Sequence, residues 1–375
     1  MSIKISSQFD AGAIDVVSVT SAGDIDLNIR KDNAADIIQW FYFRVQGAQA
    51  VPLTIRFLNA GKATYAEGWK DYQAVASYDR DTWFRVPTSF DGEVMTIEHA
   101  PEFDSVYYAY FEPYSWERHL SLLDSAQLSP LTQLVDLGST IDGRDMNMLI
   151  VGDPEAEKKV WVIARQHPGE TMAEWFVEGM LEALLDPADP FASQCLKEAV
   201  FYVVPNMNPD GSVRGNLRTN AAGANLNREW NTPTMERSPE VFLVKEKMKE
   251  IGCDLFLDIH GDEGLPYVFV AGSDSLENFT KEQKAEQDCF IADFKIASPD
   301  FQSEFGYPDA PYTPEVLTMG SPHITHLFGC LSLTLEMPFK DNANDPDEVN
   351  GWNGARSAKL GAAILQPVLQ KLRRG

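Results

Sequence analysis

The chain changes texture near residue 115, and that change limits its fold more than any other feature. Before about Pro113 the apolar segments are short, rich in β-branched and aromatic residues, and bounded by Gly, Asn, Asp and Pro: DIIQWFYFRV, VPLTIRFL, EVMTIEHA and SVYYAYF. No segment of helical period interrupts them. Residues 1–115 therefore read as an all-β domain, an antiparallel sandwich of modest size. Within it, Trp40, Tyr42 and Arg44 alternate with Phe41, Phe43 and Val45, which gives one strand two chemically different faces.

From Ser115 onward, strands and helices take turns. A short helix is expected from Ser115 to Ala126. Then come KKVWVIAR as strand, TMAEWFVEGMLEALL as helix, AVFYVVPN as strand, SPEVFLVKEKMKEIG as helix, and DLFLDIH and CLSLTLEMP as strands. Ser238 reads as an N-cap with Pro239 in the first helical position, and one helix from about Asn353 to Arg373 closes the domain. VWVIA and FLDI are almost wholly apolar, as in a sheet covered by helices on both faces. Residues 116–375 thus read as an α/β domain with a mixed central sheet flanked by helices.

Charge narrows the partners. Lys and Arg number 31 against 56 Asp and Glu, a net charge of −25, which opposes nucleic acid and anionic membrane surfaces because both are gripped through clustered cations. No apolar run reaches the roughly 18 residues of a membrane span, and MSIKISSQFD lacks the apolar segment of a secretory leader. Cys195, Cys253, Cys289 and Cys330 are dispersed, with no C-x-x-C pair, so reduced thiols are expected rather than a disulfide framework or a thiolate metal site. The expected location is the cytoplasm. The chain carries no signal for an oligomeric state.

Chemistry concentrates at strand ends. His167 follows VWVIARQ in the turn QHPGE, with Glu170 three residues on, and His260 ends DLFLDI just before Gly261. Ligands of open α/β sheets bind at such edges. Two His and one Glu form a three-ligand zinc set with a coordination position left for water. Taken singly, each also fits an ordinary loop residue, and Asp258, Asp262 and Glu263 fit solvated acids around a turn. His99, His119, His323 and His326 read as ordinary. In PNMNPDGSVRGNLRTNAAGANLNREW, Arg218, Asn227 and Arg228 sit in a stretch too rich in Gly and Asn for regular helix. They suit either an anionic ligand or local ion pairing. Glu336, near the end of the apolar strand CLSLTLEMP, suits either a buried ion pair or a general base.

The ordered set resembles the zinc metallocarboxypeptidase family, in its cytosolic carboxypeptidase-like branch of bacterial type. It comprises His167-Pro-Gly-Glu170, Asn208-Pro-Asp-Gly211, Gly215-Asn-Leu-Arg218, Leu226-Asn-Arg228-Glu-Trp230, Asp258-Ile-His260-Gly261 and Thr334-Leu-Glu336. Gln39 to Arg44 and Pro113-Tyr114 resemble the branch's leading β-domain.

The resemblance implies one zinc ion per chain, held by His167, Glu170 and His260. It implies that Glu336 is the general base toward the zinc-activated water and that Arg218 stabilises the oxyanion. Asn227 and Arg228 would then clamp the free carboxylate of a peptide or protein C-terminus, the expected substrate. Two positions depart from the family. Asn225 stands where members carry an Asp that orients the first His, and MGSPHITHLFG offers no Lys or Arg where glutamate-removing relatives carry a basic residue. A preference for acidic terminal residues is thus implied by the branch alone. Other readings of the same residues are a zinc amidohydrolase of small N-acyl amino acids and a non-catalytic peptide-binding module.

Overall fold

In the structure, a computed structural model that describes residues 3–308 and 310–374, the early apolar segments pair into two five-stranded sheets. One runs in the order Lys4–Ser6, Tyr42–Gln46, Ser105–Ala109, Val75–Ser77, Trp83–Arg85; the other Asp15–Ser21, Asp24–Asn28, Leu53–Phe57, Met95–His99, Thr88–Phe90. The pairing is antiparallel apart from Asp24–Asn28 with Leu53–Phe57, which is parallel. Phe41, Phe43 and Val45 are fully buried between the sheets, and the Phe41 and Phe57 rings meet across that core with centroids 4.7 Å apart. The opposite face is less open than alternation implies. Trp40 and Tyr42 are also buried: the Trp40 indole N–H donates to the Ala11 carbonyl (2.9 Å), and Tyr42 packs edge-on against Phe9. Chain approaching from residue 9 to 13 covers that face, so only Arg44 keeps partial exposure.

The second part is the α/β domain. Its seven-stranded sheet runs Thr132–Ser139, Asp145–Val151, Ala199–Val204, Lys158–Ala164, Leu255–Asp262, Leu331–Pro338, Phe269–Ala271. The four strands from Ala199–Val204 to Leu331–Pro338 are parallel and the edges antiparallel. Alternate residues of Lys158–Ala164 feed different cores. Val160 and Val162 pack with Met172 and Phe176, whereas Trp161 and Ile163 pack with Val241 and Val244. Helices Met172–Leu185 and Gly354–Ala363 cover one face, Pro239–Ile251 the other. Both faces are therefore dry, which is why the central strands are continuously apolar.

Helices Met172–Leu185 and Gly354–Ala363 touch through glycines: a Cβ at Gly179 would collide with the Ala358 carbonyl, and one at Gly361 with that of Phe176. Gly179→Ala is expected to cost about 1–3 kcal/mol by overpacking. Urea denaturation measures it, and an unchanged midpoint would refute the close approach.

Local details differ from expectation at two helix ends. Helix Pro239–Ile251 starts after Ser238, but the buried Ser238 hydroxyl has no partner among the described residues and makes no capping bond. The closing helix is two, Gly354–Ala363 and Leu365–Arg374, because Pro367 lacks the N–H that would continue the ladder.

Candidate active site

Strands Lys158–Ala164 and Leu255–Asp262 run side by side, with Ala164 paired to Ile259, so their carboxyl ends deliver His167 and His260 to one place. The chain leaves the first strand through Arg165, which adopts a left-handed φ of 60°. Its buried guanidinium folds back onto the carbonyls of Pro168 (2.9 Å) and Tyr114 (3.0 Å) and the carboxylate of Glu174 (2.7 Å). That brace shapes the His-Pro-Gly-Glu turn. Gly169 allows it to lie against Leu217, whose carbonyl accepts the Gly169 N–H (2.8 Å).

The His167 Nδ1 lies 2.6 Å from Glu170 Oε1, and His260 Nδ1 lies 2.8 Å from Glu170 Oε2. The two Nδ1 atoms are 3.2 Å apart, and all three side chains are buried. Asn225 Oδ1 accepts the Asn227 N–H (3.1 Å), which identifies that atom as the oxygen; the His167 Nε2 facing it at 3.0 Å is then the donor. On the other ring, Nε2 faces Asp258 Oδ1 at 2.9 Å. His167 thus gives its Nε2 proton outward and turns its Nδ1 lone pair toward the Glu170 carboxylate, while His260 sets one ring nitrogen against Asp258 and the other against that same carboxylate. A neutral His167 lone pair facing a carboxylate oxygen at 2.6 Å is repelled unless a cation sits between them. The donor set is the one zinc takes in catalytic sites, and the described residues bring these three together as a group able to hold a metal ion.

Electrostatics fit a neutral imidazole in the first position, since burial and then the Arg218 charge lower the His167 pKa to about 4. Burial works against charge on His260 as well, but Asp258 and Glu170 overcome it and raise that pKa well above the usual value. Asp258 is fully buried rather than solvated. Gln166 holds it, donating to Asp258 Oδ2 (2.7 Å) while accepting the Trp230 indole N–H (2.9 Å).

Glu336 pairs directly opposite His260 on the neighbouring strand. Its Oε1 accepts from the Tyr307 hydroxyl (3.0 Å), and among the described residues its buried Oε2 has no hydrogen-bond partner. Among the described residues Glu336 thus meets a hydroxyl rather than the cation of an ion pair. Burial pushes its carboxyl well above the usual range.

Arg218 lies with its guanidinium over the Tyr65 ring, 5.4 Å from the centroid, within the fields of Glu263, Glu170 and Glu336. Asn227 commits its amide oxygen to the Gly320 N–H (2.8 Å), leaving its amide N–H2 as a donor. Arg228 donates to the Asn227 carbonyl (2.6 Å); burial and then the neighbouring Arg218 lower its pKa, with Tyr65 and Tyr307 also close. Arg218 thus lies within the fields of Glu170 and Glu336 with Arg228 close to it, Asn227 is tied to His167 through Asn225, and Glu336 pairs opposite His260.

Sequence reasoning missed Asp32, Tyr65 and Tyr307, and it left Glu263 among possible solvated acids. Glu263 is instead buried, with Oε1 unpartnered. Tyr307, on a loop with no periodic signal, shares its single hydroxyl proton between Glu336 Oε1 and Asp262 Oδ2, the latter 2.8 Å away. His119, read as ordinary, is a buried partner of Glu174 (2.6 Å). Among the described residues, no helix is long and apolar enough to cross a membrane.

Comparison with known proteins agrees with this geometry. Residues 5–111 match the model of the cytosolic carboxypeptidase N-terminal domain, and residues 120–265 match that of the zinc carboxypeptidases. The chain is similar over its length to a metallo-carboxypeptidase from Burkholderia cenocepacia, with 58% identity, all of both chains covered and a TM-score of 0.98. It is also similar to a metallo-carboxypeptidase from Pseudomonas aeruginosa solved in complex with (2-guanidinoethylmercapto)succinic acid. There the identity is 43%, 99% of this chain and 100% of that one are covered, and the TM-score is 0.96. An uncharacterised protein of Zymomonas mobilis is 42% identical, with 99% of this chain and 98% of that protein covered. Human cytosolic carboxypeptidase 1 is 26% identical over 72% of this chain, which spans only 26% of that longer protein.

Proposed function

The chain belongs to the zinc carboxypeptidase family, in the branch with a cytosolic carboxypeptidase N-terminal domain, and we propose that it hydrolyses the C-terminal bond of peptides or proteins. As a metallocarboxypeptidase it takes one zinc ion. His167, Glu170 and His260 hold the ion; bound there, zinc supplies Lewis-acid chemistry, acidifying water and polarising a carbonyl. The observation that carries the reading is the buried Glu336 Oε2, unpartnered beside that group.

Glu336 takes a proton from the attacking water and passes it to the leaving amine. Arg218 donates to the oxygen that gains charge on the scissile carbonyl. Arg228 and the free Asn227 amide N–H2 hold the substrate's terminal carboxylate, and the fixed spacing between this clamp and the metal site admits only the last bond. The succinic acid moiety of the Pseudomonas aeruginosa relative's ligand is carboxylate chemistry of the kind this clamp suits. The acidic-residue preference rests on the branch alone: helix Gly320–Phe328 has no Lys or Arg, and a net charge of −25 opposes acidic polymers.

We place the domain boundary between residues 115 and 116, in the gap between the two matched models. A cytoplasmic location is supported by the branch and by four free cysteines.

Arg228→Ala is expected to raise KM for free-acid peptides about tenfold or more while leaving C-terminally amidated peptides unaffected. Equal losses on both would remove the clamp. Comparing a short peptide with an N-acyl amino acid tests the wider reading, since faster turnover of the latter would mark a small-molecule deacylase.

A further inference from the structure

We propose that the β-rich domain completes the active site, with Asp32 and Tyr65 as positioning residues for Arg218. The inference rests on the carboxypeptidase reading above and assigns the leading domain a part in it.

Asp32 is buried, and one carboxylate takes a run of consecutive backbone donors from the second domain. Its Oδ1 accepts the Leu217 N–H (2.7 Å). Its Oδ2 accepts the N–H groups of Arg218 and Thr219 (both 2.9 Å) and the Thr219 hydroxyl (3.0 Å). Successive N–H groups curled around an anion form a nest, a local geometry that the anion itself holds in place.

The loop needs such a hold because residues 215–225 adopt neither helix nor strand. Neighbours of Asp32 extend the seam. The Asn33 side chain donates to the Ala221 carbonyl (2.7 Å) and accepts from the Asn216 amide (2.6 Å). At either end, Gly215 (φ 70°) and Gly223 (φ 74°) press against the Ala11 and Ala34 carbonyls so closely that any Cβ would collide.

The side chain is set from the same domain. Tyr65 lies beneath the guanidinium, and its ring attracts the charge through its face without using an N–H. The in-plane donors remain available to a substrate oxygen. The backbone of residue 65 is held independently, since its N–H donates to Gln39 Oε1 (3.1 Å).

The test uses the full-length zinc-loaded protein. In Asp32→Asn one oxygen becomes an NH2 that opposes the loop's donors. Amide hydrogen exchange in residues 214–224 is expected to quicken about tenfold or more, with the remainder of the α/β domain and the zinc content unchanged. Because Arg218 acts on the transition state, kcat should fall about tenfold or more with KM within about twofold. In an Arg218→Ala background, Asp32→Asn should lower kcat by less than about twofold. Tyr65→Leu, which leaves the backbone ties intact, is expected to lower kcat several-fold, again only while Arg218 is present; it carries the test should Asp32→Asn not fold.

Unchanged loop exchange, unchanged kcat in both variants, or losses that multiply with Arg218→Ala would overturn the proposal. A wild-type protein that releases no terminal residue, yet whose loop loosens in Asp32→Asn, would overturn the carboxypeptidase reading and leave the anchor standing.

Discussion

Glu336→Gln is expected to lower kcat by about 10³-fold, within the 10²–10⁴ range of general acid–base catalysis. Zinc content and peptide affinity should stay close to wild type. The substitution is nearly isosteric, and the amide oxygen can still accept the Tyr307 hydroxyl as Glu336 Oε1 does. What changes is the buried, unpartnered Oε2, replaced by an NH2 that has no lone pair to take a proton. Burial leaves the wild-type carboxyl a stronger base than an exposed one, as proton abstraction near neutral pH requires. Steady-state kinetics, metal analysis and calorimetric binding of a peptide check the three parts. Turnover within about tenfold of wild type would strip Glu336 of the base role.

Glu170→Gln is expected to have the second largest effect, on metal rather than on protons. The carboxylate lies between two imidazole Nδ1 atoms, at 2.6 and 2.8 Å, and supplies the negative charge among the three proposed ligands. Burial works against its charge, but the charge favoured on His260 beside it outweighs burial and keeps its pKa below the usual carboxylate value. A neutral amide removes that charge and aims either an oxygen or an NH2 at a cation. Zinc affinity should fall by more than the roughly 10–100-fold typical of outer-shell changes, and hydrolysis should be lost with it. Excess zinc should restore little. Chelation of the wild type should mimic the variant and be reversed by zinc. Full stoichiometric zinc in Glu170→Gln, or hydrolysis that survives metal removal, would refute the three-ligand site.

Local chemistry made much of the site legible. His167 and Glu170 share one turn enforced by Pro168 and Gly169; His260 was expected to end its apolar strand, which instead runs on through Gly261 to Asp262, and Glu336 lies two residues before the end of the neighbouring strand, so residue type and strand ending still meet within a few positions. The central strands of the α/β domain were equally plain, because a sheet covered on both faces admits little but apolar side chains, whereas in the β-domain the segment read as strand from residue 36 becomes strand only at Tyr42. The hairpin Thr132–Ser139 and Asp145–Val151 was not anticipated: its first strand is half-exposed with no apolar run, although the second carries Met148-Leu149-Ile150-Val151. Ser238 shows the limit in the other direction. Its position was right, yet burial withdrew its hydroxyl from the capping bond that the residue type advertises.

By itself the amino-acid order determined the two-part architecture, the zinc-suited donor set and the strand ends that carry it. Each of these follows from periodicity or turn chemistry acting over a few residues. Only the tertiary structure decided which nitrogen each imidazole turns inward, because Asn225 and Asp258 make that choice from across the fold or from the far side of a ring. It alone decided that Asp258 and Glu263 are buried, and that Asp32 reaches a loop 185 residues away. Such contacts leave no period and no spacing in the chain. They exist because the entropy of closing a long loop grows only slowly with its length, so a distant carboxylate can serve a site as readily as a near one.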